Sequence, residues 1–348
     1  MALMPLIHGG QLNTIAEQYD IPREQWLDLS TGIAPIAYPI PSVPEHIWQQ
    51  LPQENAALNK AAQHYYQTNH VLVTNGSQSI IKALPDLWRQ HMQGDLSSHV
   101  FIPQYGYKEH QQAWADNHFA IYHYQNELPS LDCLTANCVL VVINPNNPTG
   151  QLVSKQKLKV YQQKITELKG LLVIDEAFMD VITPSQSLSA SLDNEHTLIL
   201  RSFGKFFGLA GIRIGFLLGS QNWLQQFSNT LGPWQVNGPA QFVAEQALLD
   251  NLWQQQQNDW LQEQSQKLQS LLVEVLPPHL VATIAGTNLF QTVTFKQTDT
   301  AQQLFNALCQ QAVYVRLTDE KLALRFGMPT AEQLPRLKKA LKVSMKRV

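Results

Sequence analysis

Seven short apolar runs, several ending on residues able to do chemistry, limit this chain to few folds. They are Val71–Thr74, Val100–Ile102, Phe119–Tyr122, Val139–Ile143, Leu171–Ile174, Thr197–Leu200 and Ile214–Leu218. Most are continuous rather than alternating and rich in β-branched residues, as in strands covered by helices on both faces. Helical stretches separate them, so the pattern predicts an α/β protein with a mainly parallel seven-stranded sheet. In such a sheet a ligand lies beyond the carboxyl ends of the strands. Asn75-Gly76-Ser77, Asn144–Gly150, Asp175 and Lys205 all fall at that place in the pattern.

Three divisions are expected: an N-terminal arm over 1–44 that joins a smaller domain, a large domain over 45–250, and a small α+β domain over 251–348. The arm is expected to be irregular and proline-rich apart from one helix, and Ala34-Pro35-Ile36-Ala37-Tyr38-Pro39-Ile40-Pro41 excludes a helix interior there. A helix is expected near Gln11–Tyr19 with Asn13 as its cap, and a single long glutamine-rich helix over 238–275 that ends at Pro277-Pro278. Strands are expected near Leu280–Ala285, Leu289–Phe295, Ala312–Leu317 and Leu322–Phe326, with helices near Thr300–Gln311 and Ala331–Lys346. A net charge of −3 argues against nucleic acid or an anionic membrane as a partner. Cys133, Cys138 and Cys309 have neither metal-ligand spacing nor an even number for disulfides, so no metal is expected and a reducing compartment is. Met1–Ile7 is too short for a signal peptide and no apolar run reaches membrane-spanning length, which predicts a cytoplasmic protein.

The chemistry gathers on four segments. Lys205 follows the run Thr197–Leu200, where a strand end can hold its amine rigid and partly desolvated; that lowers its pKa and readies it to attack an aldehyde. Ser202 and Arg213 flank it with a hydroxyl donor and a bidentate cation, both suited to phosphate. Gly76, Ser77 and Gln78 open a helix whose free amides and dipole favour an anion; alone this is a plain helix start, but beside Ser202 and Arg213 it reads as a phosphate site. Asp175, 30 residues before Lys205, ends another strand. A buried carboxylate there would need a cationic partner such as a protonated ring nitrogen. Asn144-Pro145-Asn146-Asn147-Pro148-Thr149-Gly150 is a stiff turn whose amides can face a cleft.

Together these segments resemble pyridoxal-phosphate (PLP) enzymes of fold type I. The resemblance implies that Lys205 carries the cofactor, Asn147 donates to its phenolate oxygen, Asp175 faces its ring nitrogen, and Tyr105, in Pro103-Gln104-Tyr105-Gly106-Tyr107, stacks on its ring. Arg325, in Leu322–Gly327, resembles the arginine that grips a substrate α-carboxylate. Phe178 stands where the family often has tyrosine, and receives no polar role.

Four stretches resemble the threonine-phosphate decarboxylases of cobalamin biosynthesis in particular. These are His8-Gly9-Gly10, Leu27–Ile33, Arg201–Leu209 and Pro233–Asn237. The resemblance implies Gly32 and Ile33 in a substrate loop, and His8 and Arg316 as ligands of the substrate phosphate. It also implies a homodimer, a phosphorylated amino-acid substrate, and decarboxylation of L-threonine O-3-phosphate. Histidinol-phosphate aminotransferases share Asn147, Asp175, Lys205 and Arg213, so transamination of a phosphorylated or aromatic substrate is the alternative. They commonly carry a Tyr-Pro pair where this chain has Leu51-Pro52. A non-catalytic PLP-binding regulator ranks behind both.

Overall fold

Val139–Ile143 and Leu171–Asp175 are buried at every position, as strands between two helical layers must be. The computed structural model describes residues 9–192 and 195–347. Among these, 37–147 and 151–254 form a larger unit, while 9–36, 148–150 and 255–347 form a smaller one.

In the smaller unit the first strand, β1 (Leu27–Leu29), follows the helix Leu12–Tyr19. The larger unit holds β2 (Val71–Thr74), β3 (His99–Pro103), β4 (Ala120–Tyr124), β5 (Val139–Ile143), β6 (Leu171–Asp175), β7 (Thr197–Ser202) and β8 (Gly215–Leu218). They form a seven-stranded sheet in the order β2-β8-β7-β6-β5-β3-β4. Only β8 runs against its neighbours, pairing antiparallel with β2 and β7. Alternate residues Val139 and Val141, Leu171 and Val173, and Leu198 and Leu200 pack with Ile80, Leu84, Trp88, Trp114 and Trp223 from helices on one face. By strand alternation Asp175 and Ser202 continue that face, and Glu176 and Arg201 turn to the other.

The smaller unit completes its sheet with β9 (Val281–Thr287), β10 (Phe290–Phe295), β11 (Val313–Leu317) and β12 (Ala323–Gly327), in the order β1-β11-β12-β10-β9. Here β1 pairs parallel with β11 and the other pairs are antiparallel. Gly327 allows the close approach of the segment after β1: an added Cβ would overlap the Thr31 carbonyl oxygen and lie 3.0 Å from that of Leu29. Gly327→Ala is therefore expected to cost about 1–3 kcal/mol, measured as a lowered urea midpoint.

Four expectations differ from the structure. Residues 37–44 belong with the larger unit, because Tyr38 is tied there: its amide donates to the Phe207 carbonyl at 2.9 Å, and its ring meets Phe207 and Trp253 edge-on. Asn13 is not a cap; the helix starts at Leu12, preceded by Gln11, which makes no side-chain capping bond. The stretch over 238–275 is two helices, Gly238–Leu249 and Asn251–Val275, divided where the Asp250 carboxylate accepts from the Trp253 amide at 3.0 Å. The arm also contains β1 rather than being irregular throughout. No helix among the described residues is long and apolar enough to cross a membrane, and no three or more of their His, Cys, Asp and Glu side chains are grouped so as to hold a metal ion.

Candidate active site

The carboxyl ends of β2, β5, β6 and β7 and the start of β8 enclose a cavity of about 770 Å³, counting the open solvent at its mouth. Gly76, Ser77, Gln78, Tyr107, Asn147, Asp175, Phe178, Ser202, Lys205 and Arg213 lie on its wall. Eight of the residues expected to hold a cofactor thus meet in one place, drawn from the four segments.

One end of the cavity gathers the groups expected to bind an anion. The helix Ser77–His91 begins behind Gly76, which makes no side-chain capping bond, so its first amides remain available. Gly76 takes φ +102°, and an added Cβ would stand 3.1 Å from Arg213 Nη2, so glycine leaves the guanidinium its place. The Ser77 and Ser202 hydroxyls are 3.0 Å apart. Arg213 itself has φ 56° and donates from Nη1 to the Ala210 carbonyl at 3.2 Å, which turns the side chain back along its own loop.

At another part of the wall Asp175 is 3% exposed, too buried to be a solvated strand end. Its Oδ2 accepts from His110 Nε2 at 2.9 Å and its Oδ1 from the Ala177 amide at 3.1 Å. Those two donors hold the carboxylate in one orientation. The Lys205 amine stands 5.5 Å from the centroid of the buried Phe178 ring. A phenylalanine there supplies an apolar wall with no hydroxyl. The loop around Asn147 is anchored by Asn144, whose side chain exchanges two hydrogen bonds with the Val153 backbone, at 2.8 and 3.0 Å.

Tyr105 is corrected by the structure. It is not on the cavity wall; Tyr107, two residues further on, is. The helix Lys108–Asp116 begins right after Tyr107. The Tyr107 hydroxyl donates to Gln78 Oε1 at 2.9 Å, and its ring meets His110 edge-on at 6.3 Å. Burial, and behind it the charges of Glu109 and Asp175, push the Tyr107 phenol well above its ordinary pKa, against the pull of Arg213. Sequence reasoning missed both Tyr107 and His110. The signal for His110 was weak: a histidine in the first turn of a helix that follows a strand end.

Behind the wall, on the other face of the sheet, Arg201 donates to Glu176 Oε2 at 2.8 Å and to Asp180, and its guanidinium lies 4.6 Å from the Tyr66 ring centroid. Tyr65 donates to Asp180 at 3.2 Å. Burial opposes the charge on Arg201, but Asp180 and Glu176 outweigh it and hold the guanidinium protonated. Burial raises the pKa of Glu176, with Arg201 opposing.

The remaining expected residues lie in the smaller unit. Arg325, on β12, is 7% exposed, not a surface side chain. It donates from Nη2 to the Ser30 carbonyl at 2.8 Å and lies 5.4 Å over the Phe290 ring. Burial, then the charge of Arg316, press its pKa down to about 10, with Tyr314 opposing. Arg316 is its cross-strand partner on β11 and donates to Asp319 at 2.6 Å. An anion beside these two cations would relieve a real electrostatic cost. Gly32 is buried and Ile33 half-buried in the segment that follows β1. His8 lies outside the described residues.

The donor set of the cavity fits pyridoxal 5'-phosphate. Hydroxyls, helix amides and Arg213 suit its phosphate, the buried Asp175 its ring nitrogen, and Lys205 its aldehyde. Residues 48–341 match the family described as aminotransferase class I and II. The threonine-phosphate decarboxylase of Pseudomonas aeruginosa is 40% identical over 329 residues, 94% of this chain and 94% of that protein. Among solved structures, the fold is similar to histidinol-phosphate aminotransferase from Sinorhizobium meliloti in complex with pyridoxal-5'-phosphate (TM-score 0.82, 16% identity, covering 99% of this chain and 98% of that one). L-Threonine-O-3-phosphate decarboxylase from Porphyromonas gingivalis is also similar, with a TM-score of 0.71 at 19% identity, covering 86% of this chain and 92% of that one. On the match over residues 48–341 and the 40% identity, this chain belongs to the aminotransferase class I and II family.

Proposed function

We propose that the protein decarboxylates L-threonine O-3-phosphate to aminopropanol phosphate and carbon dioxide in cobalamin biosynthesis, with PLP as cofactor. The observation that carries this reading is the 40% identity with a threonine-phosphate decarboxylase along 94% of both chains. When bound, PLP supplies an electron-poor ring that accepts the electron pair left on Cα as the carboxylate departs. The chain's own residues do the rest. Ser77, Ser202, Arg213 and the uncapped helix amides bind phosphate, and Asn147 is assigned to the phenolate oxygen. Asp175, oriented by His110, holds negative charge where a protonated ring nitrogen is needed. Lys205 delivers a proton to Cα after carbon dioxide has left, which balances the charge. Phe178 sets an apolar face beside that amine.

Arg325 is assigned to the substrate carboxylate, and Arg316, with His8, to its phosphate. The depressed pKa of Arg325 supports the first assignment. Arg325→Gln is expected to raise the KM for threonine phosphate by roughly 10- to 100-fold, the worth of a charged hydrogen-bonded pair. An unchanged KM would remove Arg325 from the substrate site.

Homodimerisation and a cytoplasmic location belong to the same reading. Ile40, Trp48, Leu51 and Trp234 are all more than half exposed in the larger unit, a quantity of apolar surface suited to a second copy. Gel filtration showing an active monomer would contradict the dimer. The deciding experiment for the reaction supplies PLP and threonine phosphate without any oxo acid. Stoichiometric carbon dioxide supports decarboxylation; turnover that requires an oxo-acid acceptor would favour transamination.

A further inference from the structure

Glu109 has no part in the chemistry described so far, yet it stands directly behind one wall of the cavity. It lies in the first turn of the helix Lys108–Asp116, and one oxygen of its carboxylate accepts from Gln78 Nε2. The same amide accepts, through Oε1, the hydroxyl proton of Tyr107 at 2.9 Å. A carboxylate has no hydrogen to give, so only the NH2 end of the amide can face it. Glu109 therefore determines which way the Gln78 amide points. With Oε1 turned to the phenol, Tyr107 can only donate, and its ring is held at the wall by a bond with one possible sense. The raised pKa of Tyr107 keeps the required proton on that oxygen. Two helices meet in this chain of contacts, Gln78 from Ser77–His91 and Glu109 from Lys108–Asp116.

We propose that Glu109 is a positioning residue for the bound cofactor, fixing the Tyr107 ring through the Gln78 amide. The proposal rests on the PLP reading above. It predicts that a side chain that never touches the cofactor sets how tightly and in what orientation the cofactor is held.

The test titrates cofactor-free protein with PLP and reads the dissociation constant and the visible circular dichroism of the bound cofactor. Glu109→Ala is expected to weaken binding about tenfold, the worth of one charge-assisted hydrogen bond. It should also change the dichroism, while the cofactor-free protein stays folded at the temperature of the titration. Glu109→Gln keeps the shape but can face Gln78 in either amide sense, and should fall between wild type and Glu109→Ala. Tyr107→Phe should lose a similar factor, and the double variant should be no worse than either single one, because the two act through one chain. A Glu109→Ala protein that binds with wild-type affinity and dichroism overturns the proposal, and so do losses that simply add. Wild-type protein that takes up no PLP would instead sink the underlying reading and this proposal with it.

Discussion

Lys205→Ala is expected to reduce turnover of threonine phosphate by about a thousandfold or more, since general acid–base work alone contributes 10² to 10⁴. Its amine faces the buried Phe178 ring in a cavity that Asp175, Ser77, Ser202 and Arg213 also line. Among the described residues, no other lysine is on that wall. The measurement is carbon dioxide release, with cofactor retention followed by absorbance. Lys205→Arg sharpens the test, because it keeps the positive charge but cannot give up a proton near neutral pH. If charge alone mattered, the arginine variant would keep activity; proton transfer requires that it be nearly as inactive as the alanine. Substantial turnover in both variants would defeat the mechanism.

Arg201→Met is expected to destabilise the protein by about 3–5 kcal/mol, the usual result of removing one partner from a buried ion pair. Two carboxylates, Glu176 and Asp180, would lose the guanidinium that both of them face. Asp180 would keep the Tyr65 hydroxyl. Urea denaturation gives the loss directly. Adding Glu176→Gln and Asp180→Asn to Arg201→Met should recover most of it, because neutral amides cost far less to bury than stranded charges. A single variant within about 1 kcal/mol of wild type, the worth of an exposed pair, would mean that the cluster carries little stability.

The same cluster shows what could and could not be read in the chain. Strands β5, β6 and β7 were legible because burial on both faces leaves continuous β-branched runs, and their ends carry Asp175 and Lys205. The ion cluster was not, because Arg201 and Glu176 meet only once two strands lie side by side. Strand β1 escaped notice for a related reason: three residues, Leu27-Asp28-Leu29, carry too little pattern without their partner Val313–Val315. The break at Asp250 was legible in principle, as an aspartate ahead of a periodic run marks a helix start, but unbroken periodicity on both sides hid it. The choice between Tyr105 and Tyr107 was beyond the local pattern. Either ring can follow a strand, and the decision lies with where the next helix begins and with the amide of Gln78.

The reversed direction of β8 has a further consequence for assembly. Its first residues, rather than its last, reach the edge where β6 and β7 finish, so Ser202, Lys205 and Arg213 arrive through one brief excursion of the backbone. Short loops close at small entropic cost. The partnership of His110 with Asp175 spans 65 residues and needs remote strands to be in register first. A chain damaged around β3 would thus still bring Ser202, Lys205 and Arg213 together after it had lost the bond between His110 and Asp175.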